Sequence, residues 1–417
     1  MSSTNGRRRV VVTGVGCVTP VGTGARQFEE GLRAGRSAVR TITRFDPSPF
    51  RSHMAAEIPD FRPQDHLDSK QARRYDRYSQ ISVVAANLAV QDAALDLAKE
   101  NRERIGIMMG SALGGVATGE NEFGNYLAEG VRGVDPALAL TVFGGASSCN
   151  AAIALGLYGP NSTNAMSCAS GTIAVMDGFH AVREGRADAM LVGGAEAPLA
   201  PLCYGAFAII RAMSTRNDDP GVACRPFDVD RDGFVMGEGA SVLVLEERSR
   251  AIARGAPILA EVLGGASTND AYHMTAPRPD GSQAARCLRL ALEDAHVAPH
   301  EIGYVNAHGS STPLNDSTET LAFKQVFGEH ARRMAISGTK GYYGHALGAS
   351  GAIEAAVTTL ALAKSWLPPT INLFTPDPAC DLDYLPGAGR AASVDYALSN
   401  SFGFGGINAA VVMRRAD

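Results

Sequence analysis

Short apolar runs alternate with helix-patterned stretches along nearly all 417 residues, and this alternation constrains the fold more than any other feature. Runs at 8–14, 105–111, 163–167, 188–194, 241–246, 257–266, 302–307, 334–338, 395–401 and 408–413 predict strands. Stretches at 24–34, 78–99, 169–184, 282–295, 316–328 and 346–364 predict helices between them. Apolar strands that alternate with helices predict an α/β fold whose strands are mostly parallel. Glycine makes up 46 of the 417 residues, as expected for many tight strand–helix turns. Segments 112–160 and 196–236 are rich in Gly, Pro, Asn and Asp and read as insertions around a site. A coarse repetition is also present. Strand–turn–helix units with small residues recur at 163–171 and 334–348, and a closing strand pair follows each. The pattern predicts two similarly built halves, 1–255 and 256–417.

Charge and cysteine usage exclude several functions. With 38 basic and 43 acidic residues the net charge is −5, so no global basic field points to nucleic acid. One Trp and 6% aromatics offer little for base stacking. No apolar run approaches the ~18 residues of a membrane helix. Arg7-Arg8-Arg9 before Val10-Val11-Val12 imitates a signal peptide, but Gly14, Gly16 and Pro20 cut the run, and a first buried strand is the better reading. The seven cysteines are odd in number and form no CxxC pair, which predicts no disulfide framework, no metal site and a cytoplasmic setting.

Four stretches combine chemistry-bearing residues with small neighbours. In Ser167-Cys168-Ala169-Ser170-Gly171 a strand gives way to a helix. A thiol there sits at the positive end of the helix dipole, where its thiolate is favoured; a buried structural cysteine is the alternative. In Asn306-Ala307-His308-Gly309-Ser310-Ser311-Thr312-Pro313 a histidine ends a strand and can enter a cleft, or be a turn histidine held by hydroxyls. Gly338-Thr339-Lys340-Gly341-Tyr342-Tyr343-Gly344-His345 leads into a small-residue helix carrying Glu354, a plausible partner for Lys340 if the lysine is buried rather than solvated. Asn400-Ser401-Phe402-Gly403-Phe404-Gly405-Gly406 reads as a flexible loop whose N–H groups can face an oxyanion, or as a Gly-rich hairpin. The dinucleotide fingerprint, P-loop, HExxH and GxSxG are absent.

In this order, and with Gly193-Gly194-Ala195-Glu196 and Arg225-Pro226-Phe227-Asp228, these motifs resemble the β-ketoacyl-(acyl carrier protein) synthases of the thiolase superfamily. The resemblance covers essentially the whole chain and is nearest to the elongating Cys-His-His type. It implies a thiolase-like fold of two duplicated βαβαβαββ halves in a five-layered αβαβα core, forming a homodimer or a heterodimer with a chain-length-factor subunit. It implies Cys168 as nucleophile, His308 and His345 as the pair handling malonyl, and Lys340 as the orienting lysine with Glu354 beside it. Phe404 matches the gate, its N–H completing an oxyanion hole with that of Cys168, and Asp316 and Glu319 match supporting acidic positions. Leu113, Phe143 and Phe402 are implied in the acyl pocket, Phe143 across the dimer.

Substrates of such enzymes ride on the phosphopantetheine of an acyl carrier protein, and no cofactor is implied. Carrier proteins are acidic, so a local basic patch is required despite the negative total. Lys70, Arg73, Arg74 and Arg77 supply one, with Arg211 on a further docking edge; a solvated helix face is the alternative. Ser167, Gly341, Ile407 and Ser310 depart from the commoner family pattern and favour a type II polyketide system over housekeeping fatty-acid elongation. An intact Cys168 argues against a non-catalytic chain-length-factor role, and Gly403-Phe404-Gly405 offers no second cysteine for a thiolase.

Overall fold

The computed structural model describes residues 8–416. Arg7 of the leader-like start, and the outer ends of the two expected halves, lie outside the described residues. Ten strands make the main path of the sheet: β1 Val10–Thr19, β2 Ile105–Gly110, β3 Asn161–Asn164, β4 Ala189–Glu196, β5 Gly239–Glu247, β6 Ala260–Asn269, β7 Ile302–Asn306, β8 Ala335–Ser337, β9 Tyr396–Gly403 and β10 Ile407–Arg415. The first five run in the order β1-β5-β4-β2-β3 and the second five in the order β6-β10-β9-β7-β8. From the central strand outward, the pairings in both sets are antiparallel, antiparallel, parallel, parallel. A short antiparallel contact of Val10, Val11 and Val12 with Val262, Glu261 and Ala260 joins them.

Six helices fill the equivalent connections: α1 Arg77–Asp92, α2 Ala146–Leu155, α3 Ser170–Arg183, α4 Ser282–Ala295, α5 Pro313–Phe327 and α6 Ser350–Lys364. Helices α1 and α2 cover one set of strands, and α4 and α5 the other. The middle layer is α3 against α6, which gives the αβαβα stack of a thiolase-like fold. Every residue of α6 from Ser350 to Leu362 is buried, as a helix between two sheets must be. Ala352, Ala355, Ala356 and Ala361 leave the room that this position demands. Near their N-termini the two helices touch through glycine. A Cβ on Gly171 would lie 2.5 Å from Ala352 N, and one on Gly351 would lie 2.2 Å from Thr172 Oγ1. That contact brings the turns before α3 and α6 together.

Nine of the ten strands match the apolar runs closely, while the strand expected at 163–167 lies at the polar Asn161–Asn164. The sheet is mixed rather than mostly parallel, because the strands at the centre of each set pair antiparallel. Segments 112–160 and 196–236 differ from expectation: they contain the helices Val116–Glu129, Ala146–Leu155 and Pro201–Ile209. One of these, α2, is scaffold packed on β2 and β3. Glycines inside the first, and apolar residues around the whole of the last, hide the helical period. The helix expected over 78–99 ends at Asp92, and Ala94 follows with φ +47°. Among the described residues no helix is long and apolar enough to cross a membrane.

Candidate active site

Two strand–turn–helix corners meet where α3 and α6 touch. In the first corner, Ser167–Ala169 forms a 3-10 turn and α3 begins at Ser170. Ser167 has φ +50°, and the Ser170 hydroxyl donates to Ser167 O at 2.7 Å. The second corner repeats this path. Leu347–Ala349 forms a 3-10 turn, Leu347 has φ +40°, and α6 begins at Ser350.

Cys168 is 7% exposed at the first turn. Burial pushes its thiol up, against the Ser167 hydroxyl, the charge of Lys340 and the Phe404 N–H, while Glu196 adds to the rise. The net direction is upward, so desolvation outweighs these three favourable contacts. The Ser167 hydroxyl lies 3.7 Å from Cys168 Sγ. The Phe404 loop runs close to this turn at Gly403, where a Cβ would be 3.2 Å from Cys168 N.

His308 follows β7, and His345 precedes the second turn. Their rings are 5.3 Å apart at 78°. Both imidazoles are pushed well below the ordinary histidine value, by burial first and then by Lys340. Each Nδ1 is engaged. His345 Nδ1 is 2.8 Å from Ser350 Oγ, and His308 Nδ1 is 3.3 Å from Lys340 Nζ. Lys340 is fully buried rather than solvated, and it also meets Glu354 and the His308 carbonyl. An ammonium has three donors, and three acceptors surround it here. Because an ammonium only donates, His308 Nδ1 accepts and its proton resides on Nε2. Burial pushes Glu354 up, with Lys340 pulling the other way. Glu319 accepts the N–H groups of His308 and Gly309 at 2.7 and 2.9 Å and an Asn400 amide at 2.6 Å, and burial pushes it up to about 7. Asp316 accepts the Phe227 N–H and faces Arg231 at 3.5 Å.

One cavity of about 410 Å³ gathers these groups: Cys168, His308, His345, Leu113, Phe402 and Phe404 all line it. Phe404 stacks on Phe207 at 6.3 Å. Both halves of the chain therefore furnish one chamber, holding a thiol, two neutral imidazoles and a backbone N–H facing the sulfur. Two family models match the chain, "Beta-ketoacyl synthase, N-terminal domain" over residues 7–251 and "Beta-ketoacyl synthase, C-terminal domain" over residues 259–374.

The chain belongs to the beta-ketoacyl synthase family. It is accordingly an acyl-transferring condensing enzyme. Among its relatives is the 3-oxoacyl-(acyl-carrier-protein) synthase 2 of Synechocystis sp., 47% identical over 98% of each chain. That of Staphylococcus aureus is 43% identical with the same coverage. A type II polyketide synthase acyl-carrier protein in complex with its ketosynthase bound to the hexaketide has a similar structure, with TM-score 0.90 and 36% identity over 99% of this chain and 100% of that one. So does the ishigamide ketosynthase/chain length factor, with TM-score 0.92 and 37% identity over 99% of this chain and 100% of that one.

One expected site residue of this beta-ketoacyl synthase needs correction. Arg77 is not a free docking cation. Its guanidinium binds buried Glu238 at 2.7 and 2.8 Å, beside Arg44, and so anchors the start of α1. Lys70, Arg73 and Arg74 are exposed on the helix Ser69–Arg74, and Arg211 is exposed at the cavity rim. Phe143, expected to reach a pocket across the dimer, does not line this chain's own cavity. It is 44% exposed in the turn before α2, where its carbonyl accepts the Tyr78 hydroxyl. The sequence reading missed Ser350, because Ser170 in the matching position serves only its own turn. It also missed the strap 269–278, which holds the Phe404 loop: the Gly405 N–H donates to Met274 O at 2.7 Å, and the Asp270 N–H to Gly406 O at 2.8 Å. The clustered Asn269, Asp270, Pro277 and Gly281 around His273 were the available signal. All seven cysteines are free, and six are buried.

Proposed function

We propose that this beta-ketoacyl synthase condenses malonyl-carrier protein with an acyl chain held on Cys168, releasing CO₂ and a β-ketoacyl-carrier protein. The observation that carries the reading is the shared cavity of Cys168, His308 and His345, with both imidazoles held neutral and both Nδ1 atoms occupied. In the first stage the Cys168 sulfur attacks the acyl thioester. The N–H groups of Cys168 and Phe404 face the developing oxyanion. The pantetheine sulfur leaves, and the thiol proton ends on it. In the second stage the malonyl carboxylate departs as CO₂, and its electron pair forms an enolate. The Nε2–H groups of His308 and His345 donate to the thioester oxygen, which spreads the charge. The carbanion then attacks acyl-Cys168, and the sulfur leaves and takes up one proton.

Lys340, held by Glu354, orients His308 in this scheme, while Glu319 and Asp316 fix the strand ends around it. The halves 1–255 and 256–417 divide the work, the first carrying the acyl chain and the second preparing the nucleophile. Leu113 and Phe402 bound the acyl chain. Lys70, Arg73, Arg74 and Arg211 receive the acidic carrier protein. Phe123, Tyr126 and Leu127 on the helix Val116–Glu129, Ile153 on α2 and Tyr158 shortly before β3 are exposed, and this much apolar surface supports a dimer. A subunit docked there, a second copy or a chain-length factor, places Phe143 against its partner's pocket. The free buried thiols fit a reducing cytoplasm.

A type II polyketide setting is supported by the two structures at 36 and 37% identity, whereas the relatives at 43 and 47% carry the plain synthase name. The condensation step is common to both. The test combines purified chain, malonyl-carrier protein and acyl-carrier proteins of several lengths, with and without a chain-length-factor subunit. The reading expects β-ketoacyl-carrier protein from wild type and no acyl transfer by Cys168→Ala. Retained transfer by that variant would contradict it.

A further inference from the structure

Glu196 closes the Gly-Gly-Ala-Glu run at the end of β4, and nothing in the reaction above uses it. Its side chain is fully buried. Four uncharged donors meet its two oxygens. Oε2 accepts the N–H groups of Ala112 at 2.6 Å and Gly348 at 3.0 Å. Oε1 accepts the Leu113 N–H at 3.1 Å and the Ser111 hydroxyl at 3.2 Å. Ala112 and Leu113 follow β2 in the first half of the chain. Gly348 lies in the second half, three residues after His345. The seam is tight, since a Cβ on Gly348 would fall 2.3 Å from Ala112 N.

Ala112, Leu113 and the Leu347 beside Gly348 all line the cavity that holds Cys168 and His345. One carboxylate thus ties two opposed stretches of cavity wall to each other. Burying a charge away from cations is costly, and burial pushes Glu196 up to about 7. Apolar packing would close the seam without that cost but would not fix three backbone N–H groups at set positions. We propose that Glu196 is a positioning residue that sets the width and depth of the acyl end of the cavity, and so the acyl chain lengths accepted. This rests on the reading that the acyl chain lies past Leu113.

The experiment measures acyl transfer from short-chain and long-chain acyl-carrier proteins to the enzyme, for wild type, Glu196→Gln and Ser111→Ala. Alkylation of Cys168 by iodoacetamide is followed in parallel. In Glu196→Gln an amide N–H₂ faces backbone N–H donors, and one wall is released. The long-to-short transfer ratio is expected to change about tenfold, which is the scale of a one- or two-methylene pocket change. Alkylation should be as fast as in wild type or faster, because a negative charge near the thiol is gone. Ser111→Ala keeps the carboxylate and removes one donor. It should shift the ratio the same way by about two- to threefold, and it carries the test if Glu196→Gln does not fold. An unchanged ratio in a folded variant, or a parallel fall of every primer together with alkylation, overturns the proposal. A wild-type enzyme inert with every acyl carrier overturns the condensation reading as well.

Discussion

The two corners at the centre of the molecule share one backbone and differ in their wiring. Each has a residue at positive φ, a 3-10 turn, a serine at the helix start and then a glycine. In the first corner Ser170 bonds its own turn, and the buried sulfur of Cys168 is left with one hydroxyl and one loop N–H. In the second, Ser350 turns to His345, while Lys340, Glu354 and Glu319 enclose His308. The same corner therefore serves one half as a sparse, approachable seat for a nucleophile. It serves the other as a densely bonded mount for two rings. The difference teaches that geometry is inherited from the fold, while chemistry is set by which polar atoms are spent inside the corner.

The largest expected effect would break this division outright. Cys168→Ala should lower acyl transfer by about 10⁴-fold or more while malonyl decarboxylation persists. His345→Ala should do the reverse, with decarboxylation down by about 10²- to 10⁴-fold and acyl transfer largely kept. Equal loss of both activities in both variants would show that the corners act as one unit. Lys340→Met tests the dense mount. It strands buried Glu354 and should cost about 3–5 kcal/mol in denaturant unfolding. A loss near zero would mean that the mount is not held by that pair.

Smaller effects sharpen the comparison. The pH midpoint of Cys168 alkylation should lie above the ordinary thiol range, since burial raises it, so alkylation should quicken as pH rises. Ser167→Ala removes a hydroxyl that favours the thiolate and should move the midpoint up further. A downward move would assign the hydroxyl the opposite role. Arg77→Ala should lower stability by about 1–3 kcal/mol, because buried Glu238 loses one of two guanidinium partners and keeps Arg44 and the Ile58 N–H. Arg73→Ala should leave stability within ~0.5 kcal/mol and weaken carrier binding instead.

Much of this was legible before any coordinates. Every strand of the main path except the polar edge strand β3 announced itself as an apolar run, because a sheet covered on both faces leaves its inner strands few places for polar residues. Cys168, His308, Lys340 and His345 stood out because each interrupts small residues at the end of a strand. Ser350 was invisible, since no local pattern separates it from Ser170; only the path of the chain decides that one faces a ring. Arg77 misled for a related reason. Its partner Glu238 is 161 residues away, so a buried ion pair looked like part of a surface patch. Glu196 was legible as a motif but not as a brace, because its four donors come from segments far apart in the chain.

The central claim is that one buried sulfur in the shared cavity carries the acyl chain. Peptide mass spectrometry after brief incubation of the full chain with acyl-carrier protein, without malonyl substrate, tests it directly. The account predicts the acyl mass on the peptide bearing Cys168, discharged when malonyl-carrier protein is added. An acyl mass on any of the other six cysteines, or none on a chain that still makes β-ketoacyl product, would contradict it.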